Sequence, residues 1–319
     1  MLSVIIPSYN EEKIIKKTAE TITSILRDNN IEYEIIFVND GSSDGTWTVI
    51  EQLSYDNPDI KGVCFSRNFG KESAIFAGLA ECIGDACVVI DCDLQHPPEK
   101  IPEMYKLWKD GYEIVEGVKS YRGEEKITHS LAANRFYKIM SKETGTDMSD
   151  SSDYKLLDRK VINTLLNMPE KNTFFRALSS WVGFKKTSVR YDVAKREGGE
   201  SKWSRMSLIK YALSNITSFT TRPMYIILYC GIAVLIMGIV LSIIALVQKF
   251  TGNSIGGFTT VIILLCFTSS VIMLSIGVIG YYIAKIYEEV KGRPRYIISS
   301  KTEVNNRYKS ESTTEKRDE

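Results

Sequence analysis

"ACVVIDCDLQHPPE", residues 86–99, is the stretch that organises the reading of the whole chain. Its first five residues have the length and apolar character of a buried strand, and the strand runs directly into Asp91, Asp93 and Gln95. Carboxylates beside a hydrophobic strand are costly unless a positive group pairs with them. Two acids one residue apart therefore mean either that the strand runs out into water or that its end holds a cation. Pro97 and Pro98 suit the first turn of a helix and carry the chain sharply away.

Working outward, the same alternation recurs on the N-terminal side. "LSVII" reads as a strand and the residues from Glu11 to Arg27 as a helix. "YEIIFV" is followed by a helix opening near Ser43 or Asp44, and "KGVCF" by a helix from about Gly70. Nearly continuous apolar strands alternating with helices predict an α/β domain with a mostly parallel sheet covered on both faces. Ligands of such sheets bind at the carboxyl ends of the strands. Three strand ends carry chemistry-bearing residues, "PSYNEE", "NDGSSDGT" and "DCDLQ", and their co-location is the functional signal. Further on, "DYKLLD" and "SVRYDV" read as strands, and the second ends in the polar, glycine-bearing loop "AKREGGESKWSR".

Several classes lose weight on the same residues. No G-x-G-x-x-G follows the first strand and no G-x-x-x-x-G-K-[ST] occurs, which argues against dinucleotide oxidoreductases and P-loop enzymes. Asp40, Ser42, Asp44, Gly45 and Glu51 approach the register of a calcium loop, but a β-branched strand enters it instead of a helix. Cys82, Cys87 and Cys92 recur every fifth residue without any C-x-x-C pair, and read as reduced structural thiols. A net charge of +1 gives no reason to expect nucleic acid.

The C-terminal third is a different material. Residues 224–247 and 258–284 are apolar runs without one acidic or basic residue, each long enough to span a membrane as a helix. Arg222 precedes the first; Lys285, Lys291, Arg293 and Arg295 follow the second; Lys249 alone lies between them. The positive-inside rule then places both ends and the N-terminal domain in the cytoplasm, with no signal peptide ahead of it. Met206, Ile209, Leu213 and Ile216 recur at helical spacing just before the first run. The boundaries expected are a catalytic domain over 1–203, an amphipathic juxtamembrane helix over 204–222, two transmembrane helices over 223–285, and a largely disordered cytoplasmic tail over 286–319 that is polar and aperiodic from Ser299.

With "VIIPSYNEE", "VNDGSSDGT", "RNFGKESAIFAG", "DCDLQHPPE", "SDYKLLDR" and "REGGESKW" in that order ahead of a membrane pair, the chain resembles the family-two glycosyltransferases of the GT-A, Rossmann-like fold. Within them it is most similar to polyprenyl-phosphate glycosyltransferases, the bactoprenol glucosyltransferases and dolichol-phosphate mannose synthases. The resemblance implies that Pro7, Tyr9, Glu11 and Asp40 contact the nucleotide, and that Asp91, Asp93 and Gln95 surround a Mg2+ or Mn2+ ion. It implies that Arg122 and Arg135 receive the acceptor phosphate, that Asp153 lies near the acceptor, and that Arg196, Ser201 and Lys202 form a mobile loop over the diphosphate. One departure is Tyr154-Lys155, where the family carries Phe-Arg.

The activity implied is inverting transfer of a sugar, UDP-linked glucose or N-acetylglucosamine, to the phosphate of a lipid such as undecaprenyl phosphate at the cytoplasmic membrane face. A divalent cation would neutralise charge on the leaving diphosphate. The acceptor phosphate is already largely dianionic at neutral pH, so Asp153 is expected to position it more than to deprotonate it. Besides donor, lipid and membrane, the expected partners are a second copy of the chain, a flippase and a downstream glycosyltransferase. Two rivals stay open: a transferase acting on a polysaccharide or other glycan, and a catalytically silent, membrane-tethered nucleotide-sugar binder. The first is weakened because "GGESKWSR" stands where processive synthases carry Q-x-x-R-W.

Overall fold

The structure, a computed structural model, describes residues 1–119, 141, 152–170, 174–192, 222–251 and 257–302. Four strands, β1 (Leu2–Ser8), β2 (Tyr33–Asn39), β3 (Ile60–Phe65) and β4 (Ala86–Val89), are linked by α1 (Ile15–Asp28), α2 (Thr46–Asp56) and α3 (Lys71–Glu81). They run parallel in the spatial order β4-β1-β2-β3. Every residue of β2 is buried and β1 is buried at all but one, as an internal parallel sheet requires. On α1 the residues Ile15, Ala19, Ile22 and Leu26 repeat every third or fourth position and form its buried face. The helix starts at Ile15, later than its periodicity from Glu11 suggests. The Glu11 and Glu12 N–H groups are drawn instead to Thr46 Oγ1 (2.9 Å) and Asp44 Oδ2 (3.3 Å).

Beyond β4, a 3₁₀ turn at Pro98–Lys100 opens α4 (Ile101–Lys109). The strand that follows, β5 (Ile114–Lys119), is not marked by apolar patterning because Glu116 and Gly117 interrupt it. Both are explained by β6 (Lys155–Asp158) and the residue before it. Lys155 Nζ is 3.0 Å from Glu116 Oε1, and the Tyr154 ring fills the space that a side chain at Gly117 would need. Then come α5 (Arg159–Leu166), α6 (Phe175–Trp181) and β7 (Lys186–Tyr191). β6 runs antiparallel to both β4 and β5, whereas β7 is parallel to β5. The pairing of Val89 with Lys155 brings the start of β6 to the carboxyl end of β4.

The expectation of a disordered tail fails at its start. β8 (Ile298–Lys301) pairs antiparallel with β3 and completes an eight-stranded sheet of order β7-β5-β6-β4-β1-β2-β3-β8. Thr302 N–H donates to Gly62 O and Ser66 N–H to Ile297 O, both at 3.0 Å, and the Tyr296 ring stacks on Phe65 at 5.0 Å. An edge strand gains its hydrogen bonds from the backbone and has one solvated side, so it needs no apolar periodicity. Residues 303–319 lie outside the described residues.

The two apolar runs form α7 (Arg222–Phe250, 29 residues) and α8 (Phe258–Val290, 33 residues). The second continues past the boundary expected at residue 285. Among the described residues one stretch, Phe267–Val290, is long and apolar enough to cross a membrane; Tyr229–Leu241 is a shorter apolar helix. The described residues of 1–205 and 294–319 form one compact unit and those of 206–293 another.

Candidate active site

The loops after β1 and β2 are laced to each other. Asn10, in the left-handed region at φ 56°, donates its N–H to Ser42 Oγ, and its side-chain oxygen accepts from Ser43 N–H, both at 2.9 Å. Gly45 N–H donates to Glu12 Oε2 (3.0 Å). Asp44, the acid that suggested a calcium register, accepts from Thr46 N–H (3.1 Å), Thr46 Oγ1 (2.5 Å) and Glu12 N–H. Asp40 is buried, and its carboxylate accepts from Phe69 N–H at 2.6 Å and Gly70 N–H at 2.9 Å. Burial pushes its carboxyl up, while those two N–H groups pull it back. Holding the β3–α3 loop is thus a duty of Asp40 that its motif did not announce. Gly41, at φ 64°, lies against the backbone of Arg67 and Asn68 with no room for a Cβ. Pro7 is half-buried at the end of β1, and Tyr9 is exposed on the rim.

At the end of β4, Asp91, Asp93 and Gln95 are each half-buried. The turn between them is tight: Leu94 has φ 55°, and Asp93 Oδ1 accepts Gln95 N–H at 3.1 Å. Among the described residues no three His, Cys, Asp or Glu side chains stand together as a self-sufficient metal cage. The donor set nevertheless fits Mg2+ or Mn2+. Two carboxylates and an amide oxygen are hard ligands, and those ions commonly complete their shell with water and substrate phosphate.

Asp153, just before β6, meets Asp91 through a third group that the sequence reading did not single out. Lys71, the first residue of α3, places Nζ 2.6 Å from Asp91 Oδ1 and 3.0 Å from Asp153 Oδ2. Arg176 of α6 grips the other side of Asp153, with Nε 2.7 Å from Oδ1 and a terminal nitrogen 2.8 Å from Oδ2. Burial alone would raise the Asp153 carboxyl, but Lys71 and Arg176 outweigh it and hold it well below the usual range. Against the same opposing burial, Lys71 holds Asp91 down. Glu72 lies beside this group and accepts Phe175 N–H at 2.8 Å. Burial, followed by the negative charge of Asp153, pushes its carboxyl up to about 7.

An aromatic wall stands next to Asp91. His96 stacks on Tyr154 (5.3 Å between rings) and meets Tyr191 edge-on (5.8 Å), with its Nδ1 3.7 Å from Asp91 Oδ2. Burial pushes the imidazole down and the Tyr191 phenol up, so both rings stand in the wall uncharged. Behind the wall, Lys155 is fully buried and bonded to Glu116 and to Ser179 Oγ (2.7 Å). The departure at Tyr154-Lys155 therefore lies in the support of the site.

Arg122, Arg135, Arg196, Ser201 and Lys202 lie outside the described residues. Of the groups that sequence reasoning missed, Lys71 and Glu72 sit within "RNFGKESAIFAG", at a strand-end loop opening a helix, where position alone could have marked them. Arg176 and Tyr191 carry no such signal, because only the tertiary fold brings Arg176 to Asp153 and Tyr191 to His96.

The glycosyl transferase family 2 model matches residues 3–166. The chain is 39% identical over 307 residues to the uncharacterized glycosyltransferase YkcC of Bacillus subtilis (strain 168), covering 96% of this chain and 95% of that protein. It is 36% identical over 299 residues to the prophage bactoprenol glucosyl transferase homolog of Escherichia coli (strain K12), covering 93% and 98%. Identity to the bactoprenol glucosyl transferase of Shigella phage SfX is 35% over 302 residues, covering 94% and 99%. Among solved structures, glucosyl-3-phosphoglycerate synthase from Mycobacterium tuberculosis in complex with Mn2+ and UDP-glucose is similar at 20% identity and a TM-score of 0.46, over 69% of this chain and 80% of that one.

Proposed function

This chain belongs to glycosyl transferase family 2, and on that premise we propose that it transfers a sugar from UDP-glucose or UDP-N-acetylglucosamine to the phosphate of a polyprenyl phosphate such as undecaprenyl phosphate, at the cytoplasmic face of the membrane. The observation that carries the proposal is similarity along nearly the whole chain, apolar helices included, to proteins named bactoprenol glucosyl transferases. Asp91, Asp93 and Gln95 would hold Mg2+ or Mn2+, which supplies charge neutralisation on the leaving diphosphate. The acceptor phosphate attacks from the face opposite the diphosphate, so an α-linked donor yields a β-linked lipid phosphate. Asp153 is a poor proton acceptor between Lys71 and Arg176, and a dianionic phosphate needs no base. Its role in this scheme is to position those two cations. Arg122 and Arg135 take the acceptor phosphate, and Arg196 and Lys202 the diphosphate.

Two membrane crossings are supported by an argument from connectivity. β8 follows both apolar helices in the chain yet pairs with β3, which precedes them. The strands that flank the helical pair in the chain, β7 and β8, belong to one sheet, which favours an even number of crossings between them. With Phe267–Val290 as one crossing, α7 is the apolar helix that would supply the second.

The test is to incubate membranes containing the protein with labelled nucleotide-sugars and undecaprenyl phosphate, and to identify the glycolipid by mass. A sugar phosphate-linked to the prenol is expected with one donor, lost on adding chelator and in Asp93→Asn, whose fold should be intact. Transfer to a soluble glycan with no glycolipid formed would refute the proposal.

A further inference from the structure

Buried polar atoms without a partner are rare in folded proteins, and each calls for an occupant. Among the described residues two side-chain atoms have this character, Nδ1 of His96 and the phenol oxygen of Tyr191. Their residues are only 8% and 3% exposed and belong to one aromatic wall. The imidazole nitrogen lies 3.7 Å from Asp91 Oδ2. The Tyr191 ring meets the imidazole edge-on at 5.8 Å and the Tyr154 ring at 5.7 Å. Two orphaned polar atoms, one from the turn after β4 and one from β7, thus belong to neighbouring rings beside Asp91.

We infer that His96 Nδ1, the Tyr191 hydroxyl and Asp91 form a subsite for a hydroxyl of the donor's sugar ring, and that His96 and Tyr191 set which sugar is accepted. The inference rests on the donor reading proposed above and names what that reading leaves open. An anion is a poor occupant, because Asp91 would repel it and the cations Lys71 and Arg176 are engaged by Asp153. A hydroxyl suits the set because it donates and accepts at once: it can give its proton to Asp91 or the imidazole and accept one from the phenol. The flat faces of Tyr154, His96 and Tyr191 add an apolar wall of the kind that the C–H face of a sugar ring can pack against.

The test uses the full-length protein in detergent with UDP, UDP-glucose, UDP-N-acetylglucosamine and monodeoxy analogues of UDP-glucose, measuring affinity by calorimetry. Tyr191→Phe and His96→Phe remove the orphaned atoms and keep the rings, so thermal unfolding should stay unchanged or rise slightly. Each variant should bind the preferred sugar nucleotide about tenfold more weakly while binding UDP as before. One deoxy analogue should bind wild-type protein about tenfold more weakly, and Tyr191→Phe should abolish that difference. Wild-type discrimination in both variants would overturn the inference and leave the two atoms to bound water. A parallel loss of UDP affinity, or of Mn2+ affinity measured by electron paramagnetic resonance, would assign the residues to the nucleotide or the metal instead. If the wild-type protein binds neither sugar nucleotide better than UDP, the subsite falls; if it binds no UDP compound at all, the donor reading falls with it.

Discussion

At the scale of single residues, the centre of the site is a carboxylate whose charge is already spoken for. Asp153 is buried between Lys71 and Arg176, and removing one member of a buried ion group strands the others. Because Lys71 and Arg176 are 41% and 30% exposed, water recovers part of that loss, and Asp153→Asn is expected to lower stability by about 1–2 kcal/mol as well as to slow transfer. A residue serving only as a base would lose activity with its melting temperature unchanged, so unfolding and rate measured on one preparation separate the two roles. Glu72 supplies a pH signature of its own. Its carboxyl is raised from the ordinary 4.5 to about 7, so the folded protein holds this proton more tightly than the unfolded chain. Stability from this group is complete below about pH 4.5, declines through the window up to 7, and is lost above it. Glu72→Gln keeps an oxygen for Phe175 N–H and should melt higher than the parent at pH 8, by on the order of 1 kcal/mol, with the gap closing by pH 4.5. An equal gap at both pH values would remove Glu72 as the source.

At the scale of elements, β8 and the residues before it tie the sheet edge to the helix that carries Lys71. The Arg295 guanidinium donates to Met168 O (2.7 Å) and Glu170 O and lies 4.6 Å over the Phe76 ring, while Ser73 Oγ donates to Arg295 O. Phe76 in turn meets Phe175 edge-on, the neighbour of Arg176. Loss of two hydrogen bonds from a charged donor and of the ring contact should make Arg295→Ala about 2 kcal/mol less stable. The exposed pair of Lys301 with Glu81 (2.7 Å) should contribute far less. A chain ending at Arg293 uncovers the β3 edge, and an open strand edge invites pairing between molecules. Size-exclusion chromatography should show that truncated form associating; a monodisperse, equally stable product would mean that the edge strand is dispensable.

For the whole molecule, the connectivity of β3 to β8 through two apolar helices constrains the path across a bilayer. Because the flanking strands β7 and β8 belong to one sheet, a reporter fused after Glu319 should lie on the same side as the catalytic domain. One inserted between the two apolar helices, at 252–256, should lie on the other, outside the cell given the basic flanks. Protease protection in sealed vesicles checks both. Finding both positions on the same side would mean that neither helix crosses.

The alternation of strands with helices, the carboxyl-end placement of "PSYNEE", "NDGSSDGT" and "DCDLQ", and the two apolar helices were legible in local pattern alone. Each depends on residues within a few positions of one another, and hydrophobic period and turn chemistry act over that range. β5 was hidden because Glu116 and Gly117 make sense only opposite Lys155 and Tyr154. β8 was hidden because an edge strand is stabilised by a backbone partner far away in the chain. The meeting of Lys71, Asp91, Asp153 and Arg176, and the wall of His96 and Tyr191 beside them, follow from one reversed strand: β6 runs antiparallel to β4 and delivers Asp153 to the end where Asp91 stands. Sheet order is a choice among pairings of similar local energy, made by the packing of the whole core, and no short stretch of this sequence carries it.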